Sequence, residues 1–332
     1  MSVEKDKLFN LIKEKLPNNV LFTEEIADVL DISYDAAYRR INGKTSLSFK
    51  DALELAKYYE ISLNELYDLS SPLSKSIIKN NYVNTYDGVN DFYKDVAFYV
   101  ASYASDKNSR VFYTAKNIPI YHIPVDTLYS KFRVYVYLNF LSKKDESKIE
   151  TFSEFIEKQF FSNDSKRFRE MFKEVSVTDV WSDTTINSCL HTIYYFYKTK
   201  LITRGEALQL CDEILLLIEG IEEKAKTKIW NSKKDLKYEL YYNKLVNINH
   251  VLFLKSDAKK GLLVPYTSLS YMRIEDKIIC DEVDVYFQKQ LQFSQKISGS
   301  AEVERRMFFT LMYEKIEQLK HQINSRALMS FI

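Results

Sequence analysis

The chain has 332 residues, with 47 basic against 46 acidic side chains, so its net charge of +1 gives no overall signal for nucleic acid. Only 6 Gly and 5 Pro occur, where average usage would give roughly 23 and 17; this argues against a turn-rich all-β sandwich or an α/β barrel and predicts a mainly α chain. A hydrophobic content of 46%, with 25 Tyr and 21 Phe, supplies an ample core and excludes disorder over most of the length.

In chain order, residues 1–70 read as five short helices. The first, over residues 3–16, carries Leu8, Leu11, Ile12 and Leu16 on one face. The second follows Thr23, an N-cap type, and turns Ile26, Ala27 and Leu30 inward. Asp31 and Ile32 form a turn. The third opens at the N-cap type Ser33 and closes at Asn42-Gly43, where glycine permits a left-handed C-cap. The fourth follows Ser48 and is expected to bury Ala52, Leu53, Leu55 and Ala56; a last turn spans residues 62–67. Ser, Pro and Leu residues at 69–74 mark a linker, placed at 71–76.

Residues 77–332 predict a larger helical domain with one small β-hairpin. Helical periods cover 86–104, 127–142, 148–161, 185–198, 204–228, 280–293 and 301–319, interrupted at Asn117-Ile118-Pro119-Ile120. The hairpin is expected from residues 245–255, a turn at 257–261 and residues 262–265. No repeat of ~34 or ~40 residues supports a helical solenoid.

Three cysteines, Cys189, Cys211 and Cys280, with no CxxC pair, argue against a disulfide framework and a structural zinc site. The N-terminus lacks a signal-peptide core, and no apolar run approaches the ~20 residues of a membrane span, so a cytoplasmic location without membrane contact is expected. The four histidines have no metal spacing, and no GxGxxG, Walker loop or GxSxG is present; no catalytic residue, metal or cofactor is assigned.

Residues 23–44, TEEIADVLDISYDAAYRRINGK, carry the one motif with a mechanism. Ala27, the turn residue Ile32, Ser33 at the start of helix three and Asn42-Gly43-Lys44 at its end resemble the helix-turn-helix of the Cro-like or XRE-like phage-repressor family. The fourth helix and the tail at 61–66 are similar to its five-helix, lambda-repressor-like pattern. The family usually has Gly in the turn where this chain has Asp31, which tolerates left-handed geometry better than most residues. Residues 115–121 and 293–309 are also loosely similar to long helix-turn-helix regulators common in Bacteroidetes. That resemblance implies a dimerising or regulatory C-terminal domain without specifying a ligand.

The helical wheel gives the same assignment on physical grounds. Ala37 and Ile41 face the domain core, while Asp35, Tyr38, Arg39 and Asn42 share the opposite side, with Tyr34 at the border. In a helix-turn-helix the second helix of the motif lies in the major groove and the first crosses the backbone. Residues 1–70 hold nine basic and thirteen acidic side chains, a net of −4. Yet Arg39, Arg40, Lys44 and Lys50 fall between Asp35 and Asp51 with no acid among them. Arg39 suits guanine O6 and N7 or a solvated helix charge, Asp35 suits a helix cap ahead of cytosine N4, and Tyr38 suits a thymine methyl, a phosphate or surface packing. Tyr34 suits this face or the core, and Arg40 leans toward the domain side, to snorkel or to meet phosphate. Arg40, Lys44, Thr23, Ser33 and Asn42 complete the candidate DNA-binding set. A second basic stretch, from Lys224 to Lys237, reads mainly as a solvated helix face.

The expected function is a sequence-specific regulator that binds double-stranded DNA as a homodimer. Its C-terminal domain would respond to a small-molecule or protein effector through a pocket lined by Tyr99, Tyr103, Tyr194, Tyr195 and Tyr197. The alternative is a non-enzymatic, antitoxin-like protein-interaction module on the same fold.

Overall fold

The structure is a computed structural model that describes residues 2–16, 21–59, 61, 78–79, 82–141, 150–157, 161–244 and 251–329. The chain divides into two compact units, Met1–Ser76 and Ile77–Ile332. The expected turn at 62–67 and the linker at 69–76 lie outside the described residues.

In the first unit, α1 (Ser2–Lys15), α2 (Phe22–Val29), α3 (Tyr34–Ile41) and α4 (Phe49–Tyr58) pack around one core. Leu8 and Ile12, Ile26 and Leu30, and Ala37, Leu55 and Ala56 are buried together, the i, i+4 spacing putting each pair on one helix face. Two expectations are corrected. Thr23 is not an N-cap: α2 starts two residues earlier than expected, at Phe22 after Leu21, with no side-chain cap bond, and Phe22 sets its edge against the Phe9 ring at 5.8 Å. Leu53 is 41% exposed rather than buried, because α4 turns Leu55, Ala56 and Tyr59 to the core and Leu53 falls on the other side.

The second unit overturns the mainly helical class with a small hairpin. Among the described residues its strands are β1 (Ile78–Lys79), β2 (Arg110–Ala115), β3 (Ser176–Trp181), β4 (Ile229–Asn231), β5 (Leu236–Tyr242), β6 (Leu252–Lys255), β7 (Lys260–Thr267), β8 (Ser270–Ile274) and β9 (Gln295–Lys296). They form a mixed nine-stranded sheet in the order β1-β8-β7-β6-β2-β3-β5-β4, with β9 paired to β5. β2, β3 and β5 run parallel; the remaining pairs are antiparallel. The expected hairpin exists as β6–β7, with Lys255 opposite Lys260, but it is one part of this sheet.

Helices fill the intervals. These are α5 (Tyr86–Ala104), α6 (Leu128–Val136), α7 (Phe152–Ile156), α8 (Asn163–Phe172), α9 (Asn187–Lys198), α10 (Arg204–Thr227), α11 (Lys277–Gln292) and α12 (Glu302–Met329). A π-helical turn, Tyr137–Leu141, extends α6; of the helix expected at 148–161, the described part contains α7, and residues 148–149 and 158–160 lie outside the described residues. Parallel strands need such long crossovers. Side chains alternate across the sheet: Val111 and Tyr113 of β2 enter the main core with α5, α6, α9, α10 and α12, whereas Phe112 points the other way to Phe253, Leu262 and, on α11, Cys280 and Phe287.

The scarcity of glycine misdirected the class prediction. Left-handed turn positions are filled by Asn108, Lys200, Lys228 and Asp235 instead, so the sheet does without the usual turn residues. One glycine is irreplaceable. A Cβ at Gly261 of β7 would overlap the Tyr99 and Tyr103 hydroxyls, which lie 3.3 Å apart in the core. Gly261→Ala is therefore expected to cost ~1–3 kcal/mol by overpacking. Gly220→Ala, at an open position within α10, should instead gain up to about 1 kcal/mol from helix propensity. Thermal melting of both variants checks the contrast; equal melting temperatures would contradict the packing at β7.

Candidate nucleic-acid interface

The geometry of the motif begins at its turn. α2 ends at Val29, and Asp31 takes φ 49°, the left-handed value for which the family uses glycine. Ser33 then caps α3, its hydroxyl accepting from the Ala36 amide at 3.4 Å. The helix closes at Asn42, and Gly43 takes φ 72°. Lys5 of α1 donates to the Ile41 carbonyl at 3.0 Å, placing a cation at the negative end of the helix.

Ala37 is fully buried beneath α3 and Ile41 is half-buried, while Ser33, Asp35, Arg39, Asn42 and Lys44 are exposed. Tyr34 is 52% and Tyr38 46% exposed, so Tyr34, at the border of the wheel, belongs to the outer face. Ser33, Tyr34, Asp35, Tyr38, Arg39 and Asn42 thus share the outer side of α3, an aromatic, cationic and amide surface, with Lys44 in the loop after it.

The two adjacent arginines part company. Arg40 Nε donates to Asp51 Oδ2 of α4 at 3.0 Å, so it ties α3 to α4 and is withdrawn from the outer face. Counting charges along the chain sees no acid between Asp35 and Asp51, but the fold brings Asp51 itself across to Arg40. Arg39 spends only its Nε, on the Asp35 carbonyl at 3.2 Å, and no carboxylate among the described residues pairs with it. Lys44 stands over the Tyr38 ring at 6.0 Å. Asn42 donates to the Tyr38 carbonyl at 2.9 Å, which orients its amide.

Thr23 sits half-buried in the first turn of α2 beside Glu24 and Glu25. Glu25 is held by the Tyr59 hydroxyl at 3.0 Å, but Glu24 is exposed and opposes a phosphate near Thr23. The sequence reading passed over Phe49, which is 71% exposed at the start of α4; its signal was an aromatic at the first position after the cap, a solvent-facing place.

In the second unit, titratable groups gather around Asp179 of β3. Its carboxylate is fully buried and accepts from the Tyr121 hydroxyl, from His122 Nε2 at 2.7 Å and from the Tyr238 hydroxyl at 2.8 Å. Burial pushes the His122 imidazole well below its ordinary value despite the carboxylate beside it, and burial beside Asp179 raises both tyrosines far above theirs. Among the described residues His122 Nδ1 is buried without a hydrogen-bond partner, so the group is held together through Asp179 as an internal polar cluster.

Burial raises the thiols of Cys189 and Cys280 to about 11 and that of Cys211 to about 12, which leaves them unreactive. Among the described residues no three His, Cys, Asp or Glu side chains could share a metal ion, and no helix is long and apolar enough to cross a membrane.

The second basic stretch does not form one face. Lys224 covers the Trp230 ring at 4.8 Å, Lys226 pairs with Glu223 at 3.4 Å, and Lys234 pairs with Glu174. The two loosely similar segments have structural roles: 115–121 leads into the Tyr121–His122 anchor, and Arg305, buried, donates to the carbonyls of Ile297 and Gly299 at 3.2 and 2.7 Å. No family model, curated protein or solved structure matches the chain.

Asp51 yields a test of the α3–α4 junction. Burial opposes its ionisation, but hydrogen bonds from the Ser48 amide and hydroxyl and the Arg40 guanidinium outweigh it and hold the carboxyl below its usual value. A depressed carboxylate stabilises above its unfolded pKa of ~4 and loses that contribution as pH falls through the folded value. Asp51→Ala should cost ~1–2 kcal/mol near neutrality, as the capping box and ion pair go together. Calorimetry of the full chain should show the deficit narrowing below pH ~4; a deficit independent of pH would contradict the ion pair.

Proposed function

We propose that the protein is a cytoplasmic, sequence-specific transcription regulator that binds double-stranded DNA as a homodimer, with α3 in the major groove. The observation that supports this most is the pairing state of the two arginines: Arg40 is neutralised by Asp51, whereas Arg39 stands on the outer face with no carboxylate partner among the described residues. In this reading Arg39 forms the bidentate contact with guanine, Asn42 and Asp35 address base edges, and Tyr34 and Tyr38 meet thymine methyls or sugar. Lys44 and Ser33, with Thr23 at the start of α2, meet phosphate. A single head covers too few base pairs for a genomic address, which is why two heads are invoked, paired through the second unit. No catalytic role is assigned.

The net charge of −4 over residues 1–70, together with the exposed Tyr34, Tyr38 and Phe49, favours a second reading, a protein-interaction module of the same fold. Salt separates the two, because phosphate contacts release counterions and protein contacts do not. On a selected duplex, Arg39→Ala should cost ~1–3 kcal/mol and relax preference at one base pair. Lys44→Ala should weaken all duplexes about equally and reduce the salt slope by ~1. Fluorescence anisotropy across a salt series checks both. Unchanged affinity and selectivity in Arg39→Ala would remove α3 as the reading helix, and binding without salt dependence would favour the protein partner.

A further inference from the structure

The pocket expected from Tyr99, Tyr103, Tyr194, Tyr195 and Tyr197 does not form. Tyr99 and Tyr103 are core residues against Gly261, and Tyr195 is an exposed side chain on α9. A different hollow lies beside α6. One lobe, of about 130 Å³, is walled by Tyr93, Ile120, Tyr129, Phe132 and Leu269. A second, of about 80 Å³, adds Val96, Tyr113 and the β7–β8 turn. Ile120, Arg133 and Ser268 line both, so the lobes adjoin.

Arg133 is the unusual member of this lining. It is half-buried on α6, and among the described residues no carboxylate pairs with it and no hydrogen bond is recorded for its guanidinium. Its positive charge is felt by Tyr93, Tyr113, Tyr129 and Cys189, where it counters the effect of burial on each. Tyr93, Tyr129 and Cys189 line the first lobe and Tyr113 the second, and Arg133 itself lines both, so the cation looks into the hollow. Two polar atoms on the walls are buried without a partner: Asn117 Oδ1 in the first lobe and Ser270 Oγ in the second. Ser270 is only 1% exposed. A half-buried cation and buried polar atoms left unpaired are costly, and a ligand with matching groups recovers that cost. An apolar cavity of ~150 Å³ accommodates a benzene ring, so the first lobe has room for one ring.

We propose that this hollow binds a small aromatic carboxylate, its ring among Tyr93, Tyr129 and Phe132, its carboxylate on Arg133, and a ring hydroxyl within reach of Asn117 or Ser270. The ligand class deepens the effector role and rests on the regulator reading for its consequence, although the binding itself does not involve DNA. Closure around the ligand would act on the β7–β8 turn and on α6, and it alters operator affinity only if one state of the dimer binds the ligand better.

The test uses the full chain without DNA, titrated calorimetrically with 4-hydroxybenzoate and with its neutral counterpart 4-hydroxybenzyl alcohol. Saturable binding of the acid is expected, at least about tenfold tighter than the alcohol. Arg133→Met should abolish that preference while leaving the alcohol unaffected. Thr192→Trp, which obstructs the first lobe from α9, should weaken both ligands and guards against a folding defect in the arginine variant. No saturable binding of either compound up to ~10 mM, or an undiminished preference for the acid in Arg133→Met, overturns the site whatever a duplex assay returns. Ligand binding that persists in a protein with no affinity for any duplex would overturn the regulator reading alone.

Discussion

A carboxylate buried in the middle of a sheet must be solvated by protein, and the second unit is organised around that requirement. Asp179 occupies the inward side of β3, between the parallel neighbours β2 and β5. Tyr238 reaches it from β5, while Tyr121 and His122 reach it from the short turn that follows β2. The turn cannot lie elsewhere without leaving a buried carboxylate short of two of its hydrogen-bond donors, a loss of ~1–3 kcal/mol or more. Fixing Tyr121 and His122 also fixes Ile120 and Asn117 just before them, and these two form part of the wall of the hollow beside α6. The Tyr121 ring stacks on Phe172 of α8 at 4.7 Å, which draws the helical layer onto the same point.

The first unit solves a smaller version of the same problem. Asp51 closes the N-terminus of α4 through its capping box with Ser48 and also accepts from Arg40 of α3. One carboxylate thereby sets the relation of two helices and decides which arginine remains on the outer face. Specificity in such a head depends on rigid presentation more than on charge, since phosphate contacts position and base contacts specify. Under the proposed DNA-binding role, the acidic total of the unit would restrain nonspecific binding, leaving Arg39, Lys44 and Lys50 on α3 and the segment after it to meet the duplex.

The α-helical half of this architecture was legible in the sequence because apolar spacing and capping residues repeat: Ser33 and Ser48 cap as expected, and Asp31 takes the left-handed turn predicted of it. The sheet was not. β2 is a short, continuously buried run, VFYTA after Arg110, and a strand buried on both faces shows no alternation to detect. β3 contains Asp179, which reads as a break in an apolar segment until its three partners are seen. β5, LKYELYY, follows a lysine-rich stretch that disguised it as solvated surface. At the candidate interface the helix face was readable from the wheel, whereas the Arg40–Asp51 bond spans two helices and leaves no trace in linear charge order. The hollow around Arg133 depends on residues between 92 and 271 and has no local signature.

The central claim is that α3 reads a specific duplex from a paired arrangement of heads. Selection of the full-length protein against a pool of randomised duplex DNA tests it most directly. The expected result is enrichment of one motif made of two inverted half-sites about 10–11 base pairs apart, or a multiple of that spacing. Recovery of no enriched motif at moderate salt would contradict it.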